Sequence, residues 1–221
     1  MLESMVNQFR GDVELVQCSY DVLYDNGNCH VAPNLRQGEI LGNNEVLSAY
    51  LLGEIKQSCW CKLYRKDVIA EIRFDTAYSV GEDSKFVYEF CKKCKSAVLI
   101  PDAMYHYFQR ESSVMRKGLN EHTFEALNLV DLILEDTSNT LHYKEAVRKE
   151  AVLCMDLITA INIEHRFLDR LPDLRRRMVS KWHYIIFSKI YSIKFKAGVI
   201  LLAIMPSTFY RLFTAARLKG N

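Results

Sequence analysis

The sequence predicts an α/β fold for the first half of the chain and an all-helical second half. Three observations carry that reading. Residues 12–24, DVELVQCSYDVLY, hold Val13, Leu15, Val16, Tyr20, Val22 and Leu23 in a run that suits a strand, and they close on the turn signal Asp25-Asn26-Gly27-Asn28. Short apolar runs then alternate with helical spacings as far as Gly118. No glycine lies between Gly118 and Gly198, and apolar residues recur there at three- and four-residue intervals. The chain therefore divides into residues 1–117 and 118–221.

In order along the chain, Asn43-Asn44-Glu45 opens a short helix through Leu52. Cys59 to Tyr64 reads as a strand or strand end, and Lys66 to Ile72 as a helical turn. Ser84 to Ser96 fits a helix with Phe86, Val87, Phe90 and Cys94 on one face. Ala97 to Ile100 reads as a short buried strand stopped by Pro101, and Met104 to Phe108 as a second strand. Residues 120–136 and 142–168 are the clearest helices, marked by Phe124, Leu127, Val130 and Leu134 and then by Val147, Ala151, Leu157 and Ile161.

The net charge of +2 conceals an asymmetry. From Leu174 to Asn221 there are ten Lys or Arg and no acid, which leaves 19 basic residues against 27 acidic ones before Leu174. Such a tail points to an anionic partner. Lys181, Lys189, Lys194 and Lys196 interleave with Trp182, Tyr184, Phe187, Ile190 and Phe195, the pattern of a basic amphipathic segment on a membrane surface. A helix packed on the body with a solvated basic face is the plainer alternative. No nucleic-acid recognition motif accompanies the charges, so nucleic acid is not the expected partner. The uncharged run Ala197–Tyr210 contains Pro206 and is shorter than the ~20 residues a bilayer span needs. The N-terminal residues lack a secretory layout, and seven cysteines fit reduced thiols in a cytosolic compartment. Cys91-Lys-Lys-Cys94 has zinc-like spacing, but with Cys59-Trp-Cys61 as its only companion it reads as structural thiols.

The stretch GEDSKFVYEF, residues 81–90, places Glu82 and Asp83 together where a helix begins. Helix capping explains an acid there. The surroundings point to something more. Trp60-Cys61-Lys62-Leu63-Tyr64-Arg65 precedes the pair; Ile72-Arg73-Phe74 follows, then Glu82-Asp83, Leu99-Ile100, Tyr105-His106-Tyr107 and Arg110-x-Ser112-Ser113-Val114-Met115. Over residues 59–116 this ordered set resembles the C-terminal half of the catalytic domain of family 2 glycosyltransferases, above all the bacterial enzymes that build capsule, exopolysaccharide and teichoic-type polymers.

That resemblance implies a partial GT-A domain, Rossmann-like and α/β, followed by an α-helical extension. It implies inverting transfer of a hexosyl group from a nucleotide-sugar donor to a saccharide or lipid-linked acceptor, with a divalent metal (Mn²⁺ or Mg²⁺) in the complete enzyme. Asp83 matches the family's general base, which takes the proton of the acceptor hydroxyl, and Glu82 would support it. Arg110, with Ser112 or Ser113, matches the group that faces the donor diphosphate; a guanidinium suits two phosphate oxygens. Trp60 and Lys62 would line the acceptor side. His106 is expected to be packed rather than to bind metal.

The family's PxYN turn, its Asp-Asp-Gly-Ser and its metal-holding Asp-x-Asp do not occur, and the chain opens at Met1-Leu2-Glu3, where relatives have passed that motif. The expectation is a chain without the nucleotide-binding half, roughly ninety residues, with no metal ligands of its own and no turnover alone. It is expected at the cytoplasmic face of the cell membrane, held peripherally by an anionic lipid surface. The rival is a non-enzymatic membrane-surface interaction protein in which Glu82-Asp83 merely starts a helix.

Overall fold

Fourteen consecutive residues, Ser96–Gln109, form one strand (β5) that runs straight through Pro101. In the computed structural model, which describes residues 1–24, 29–32, 40–76, 78, 80–109 and 118–218, β5 pairs in parallel with β1 (Leu15–Tyr24) along its whole length. The two strands expected on either side of Pro101 are thus a single one. The register slips between Cys18 and Tyr20 of β1, so Pro101 sits at an irregularity where no ladder hydrogen bond is asked of it.

β5 and β1 form the middle of a five-stranded mixed sheet. β3 (Ile40–Gly42) flanks β5, antiparallel. β4 (Lys62–Tyr64) and β2 (Cys29–Ala32) share the other edge of β1, on its first and second halves, both antiparallel. A parallel pair needs a crossover, and α2 (Asn43–Leu52) and α4 (Glu82–Lys93) supply its helices. The alternation of β1 assigns the faces. Val16, Cys18 and Tyr20 pack with Val98, Ile100 and Met5 of the short helix α1 (Leu2–Val6). Leu15 and Gln17 face the opposite way, and the hydrogen bonds of Gln17 tie that side to the segment after α2. α3 (Lys66–Ile69) follows β4. These elements make up one compact unit, Met1–Lys117.

The second unit, Gly118–Asn221, is helical. A 3₁₀ turn at Glu121–Phe124, capped by Asn120 Oδ1, leads into α5 (Glu125–Thr137). α6 (Tyr143–Glu164) is the longest helix, and its buried face of Ala151, Cys154, Ile158 and Ile161 centres the core. α7 (Leu171–Ser180), α8 (Trp182–Ile186), α9 (Ile193–Ile204) and α10 (Pro206–Leu218) complete it. The basic amphipathic segment expected over residues 181–196 is therefore not one helix, since it breaks after Ile186 and restarts at Ile193. No helix among the described residues is long and apolar enough to cross a membrane.

Candidate functional site

Asp83 stands in the first turn of α4, behind Gly81, whose backbone (φ +97) only glycine adopts without strain. Asp83 makes no capping bond at this helix, although an acid in the first turn suits the helix dipole. Its Oδ2 instead accepts a hydrogen bond from the backbone N–H of Cys59, 3.1 Å away and 24 residues earlier. The carboxylate thus ties α4 to the loop that carries Trp60. Glu82, half-exposed on the same turn, has no ion-pair partner among the described residues.

A buried polar lattice holds that loop. Gln17, wholly buried in β1, donates through Nε2 to Glu54 O (3.0 Å) and accepts through Oε1 from Lys56 N–H (2.8 Å). Ser84 Oγ donates to Gln57 Oε1 (2.7 Å), and the Tyr50 hydroxyl donates to Ser84 O (2.8 Å). Gln17, Tyr50 and Ser84 each find their hydrogen-bond partners inside the protein, as burial requires. Burial pushes the Tyr50 hydroxyl well above the usual tyrosine range, so it remains a donor at physiological pH. Burial, with the Asp83 charge behind it, pushes the Cys59 thiol up to about 12, which keeps it protonated at physiological pH.

Lys62 is buried, and its ammonium donates to Ser58 O at 2.6 Å. Loss of water lowers its pKa from the ordinary lysine value. The residue shapes the loop from inside. Trp60 is half-exposed and rests on aromatic rings: Tyr105 (4.8 Å, nearly parallel), Tyr107 (5.2 Å, nearly parallel) and Tyr20 (4.6 Å, edge-on). Cys61, at φ +58, turns the chain between Trp60 and Lys62. A partly exposed indole braced by two stacked tyrosines offers a flat apolar surface beside polar groups.

Part of the chain, over 113 residues, is 33% identical to the minor teichoic acid biosynthesis protein GgaB of Bacillus subtilis (strain 168). The match covers 44% of this chain and 13% of that protein. No family model and no solved structure matches the chain.

The remaining candidates are distributed differently. Arg110, Ser112 and Ser113 lie outside the described residues, just past the end of β5. His106 is not packed as expected: its side chain is 61% exposed, and its Nδ1 lies 2.6 Å from Asp21 Oδ1 on the neighbouring strand. The reason is the pleat, which puts Tyr105 and Tyr107 against Trp60 and turns His106 to the other face. Among the described residues no group of three or more His, Cys, Asp or Glu is arranged to hold a metal ion. Cys91 and Cys94 are buried free thiols.

Sequence reasoning passed over Gln17, Tyr50, Gln57 and Ser84, and took Tyr105 and Tyr107 only as part of the motif. Two signals were present. A glutamine inside an apolar strand marks a buried polar anchor, and tyrosines two apart on a strand share a face.

Proposed function

We propose that this chain takes part in building a cell-wall polysaccharide, as a glycosyltransferase of GT-A type whose general base is Asp83. The observation that carries this reading is the placement of Asp83. Its carboxylate leaves the helix start uncapped and is fixed at one oxygen by the N–H next to Trp60. Similarity to a protein named for teichoic acid biosynthesis supports the substrate class.

In the proposed reaction an acceptor hydroxyl sits against Asp83, with its sugar ring on the Trp60 surface. Its oxygen bonds to the anomeric carbon of a nucleotide sugar from the face opposite the leaving group. Its proton passes to the Asp83 carboxylate. The bond from the anomeric carbon to the diphosphate breaks, and the electron pair leaves with the nucleoside diphosphate. A fixed base saves the entropy of bringing it to the hydroxyl. Arg110 with Ser112 or Ser113 would hold the departing diphosphate, and Glu82 would contact acceptor hydroxyls.

The test is incorporation of labelled sugar from UDP-, GDP- and CDP-sugars into wall polymer, by lysates of cells encoding the Asp83→Asn chain. The expected result is a fall of about a hundredfold or more, the scale of losing a general base, at unchanged protein level. Incorporation at the normal rate would remove Asp83 from the mechanism and favour the non-enzymatic reading.

A further inference from the structure

α9 is apolar on two opposite sides, with Lys194 and Lys196 between them, yet only one of those sides is covered. Gly198, Val199 and Leu202 turn into the core of the helical unit. Ile193, Ala197, Ile200 and Ile204, spaced four, three and four residues apart, share the opposite face and are exposed, Ile193 by 86% and Ile204 by 74%. Phe187, 77% exposed, and Met205 and Leu212 add to the apolar surface of this unit. A contiguous apolar helix face left exposed marks an interaction surface.

Charge identifies the occupant. The basic cluster nearest the end of the acidic body is already spent inside the unit. Arg175 donates to Leu202 O (3.0 Å) and Ala203 O (2.6 Å), satisfying the last carbonyls of α9. Arg177 pairs with Asp131 and Glu150, Lys181 with Glu150, and Arg176 with Asp173. Lys189, Lys194 and Arg211 are different: all three are exposed, with no ion-pair partner among the described residues, and no acid follows Asp173 in the sequence. A second copy seated on this stripe would set these cations against their own duplicates. An anionic phospholipid surface supplies both an apolar layer and negative charge.

We propose that the Ile193–Ala197–Ile200–Ile204 face of α9 docks flat on an anionic lipid surface, with Lys189, Lys194 and Arg211 reaching the phosphates. At twelve residues α9 is about 18 Å long, suited to lie in an interface and too short to cross one. This rests on no reading of Asp83.

The full chain is tested by flotation with phosphatidylcholine vesicles, with and without a one-third share of phosphatidylglycerol. Binding is expected to the anionic vesicles and to weaken at high salt. Ile193→Asp with Ile204→Asp should weaken it at least tenfold, since each isoleucine would take a large apolar side chain out of water. Lys189→Gln and Lys194→Gln should each weaken it about fivefold, whereas Arg176→Gln, whose charge is already paired, should change it less than twofold. All five positions are exposed, and a thermal melt checks that each variant folds. Vesicle binding untouched by the isoleucine substitutions overturns the proposal, as does no binding at all. A dimer in light scattering that Ile193→Asp dissociates would make the stripe a self-association face instead.

Discussion

The two units place their polar and apolar groups in opposite ways. In residues 1–117 the polar groups that matter are inside: Gln17, Ser84, Glu54 and Lys62 are buried around one loop and joined by directed hydrogen bonds. In residues 118–221 the isoleucines of α9 lie outside, while charges are drawn inward to lock helices together, with Glu150 buried between Arg177 and Lys181. A buried polar lattice fixes geometry to fractions of an ångström, which suits chemistry. An outward apolar stripe suits adhesion. The contrast is easily measured, because the chain has two tryptophans and each unit holds one, Trp60 and Trp182. Trp60→Phe and Trp182→Phe backgrounds report the unfolding of one unit at a time.

The largest expected effect breaks the helical unit alone. Arg177 grips Asp131 with two bonds (2.5 and 2.9 Å) and lies 3.5 Å from buried Glu150. Arg177→Met removes its bonds to the exposed Asp131 and leaves buried Glu150 with Lys181 alone, and losing such charged hydrogen bonds costs about 2–3 kcal/mol. In denaturant titrations the Trp182 signal should shift to lower midpoint and the Trp60 signal should not. Equal shifts in both would mean that the two units unfold together.

The next effect breaks the other side. Gln17→Leu takes away the bonds it makes to Lys56 N–H and Glu54 C=O inside the protein, at a cost of roughly 2 kcal/mol. Here stability and sugar transfer should fall together, because the loop that positions Trp60 and the Asp83 contact loosens. A stable, inactive variant would show that Gln17 does more than anchor the loop.

The same contrast explains what could be read from residues alone. The strand at 15–24, the helix at 43–52 and the two long helices after Gly118 were legible, since each is set by local periodicity and turn chemistry. The continuity of β5 through Pro101 was not, because it depends on where the register with β1 slips. Asp83 was legible as a candidate, but its bond to Cys59 N–H was not, since the partner lies 24 residues away on a loop without periodicity. The basic tail misled in part. Composition counts Arg175, Arg176, Arg177 and Lys181 as free charge, and only the fold shows them paired or capping.

Alkaline pH should separate the units more gently. Burial raises the thiols of Cys61 to about 11 and of Cys94 to about 12 in the first unit, and that of Cys154 to about 12 in the second. In the unfolded chain these ionise near 9, so the folded state holds protons that the unfolded state has released. Stability is therefore fully present below pH 9 and is lost as pH climbs toward 11–12, by about 1.4 kcal/mol per thiol per pH unit. Lys62 acts in the opposite sense. With its pKa lowered by burial, it adds stability as pH rises toward 10.5 and nothing beyond. The first unit, with three such thiols (Cys59, Cys61 and Cys94) against one, should lose stability the faster of the two once pH passes 10.5, read from the Trp60 and Trp182 midpoints. A steeper loss in the second unit would contradict this assignment.

The smallest effect compares two glycines at positive φ. Gly81 (φ +97) starts α4, and Gly118 (φ +70) starts the helical unit. An added Cβ at Gly81 meets nothing within 4 Å, so alanine there costs only backbone strain, about 1 kcal/mol. At Gly118 the Cβ would lie 3.0 Å from Glu164 Oε2, in the carboxylate that accepts the Leu119 N–H. That carboxylate is the end of a flexible side chain and can yield, so its added cost is a few tenths of a kcal/mol from the weakened bond. The two alanine variants should therefore lose similar stability, each in its own unit. Their consequences should differ. Gly81→Ala rotates the turn that presents Glu82 and Asp83, and sugar transfer should fall severalfold beyond what the lost stability explains. Gly118→Ala should leave transfer unchanged. Equal transfer in both variants would mean that the start of α4 tolerates movement, and would weaken the case that Asp83 is held in place for chemistry.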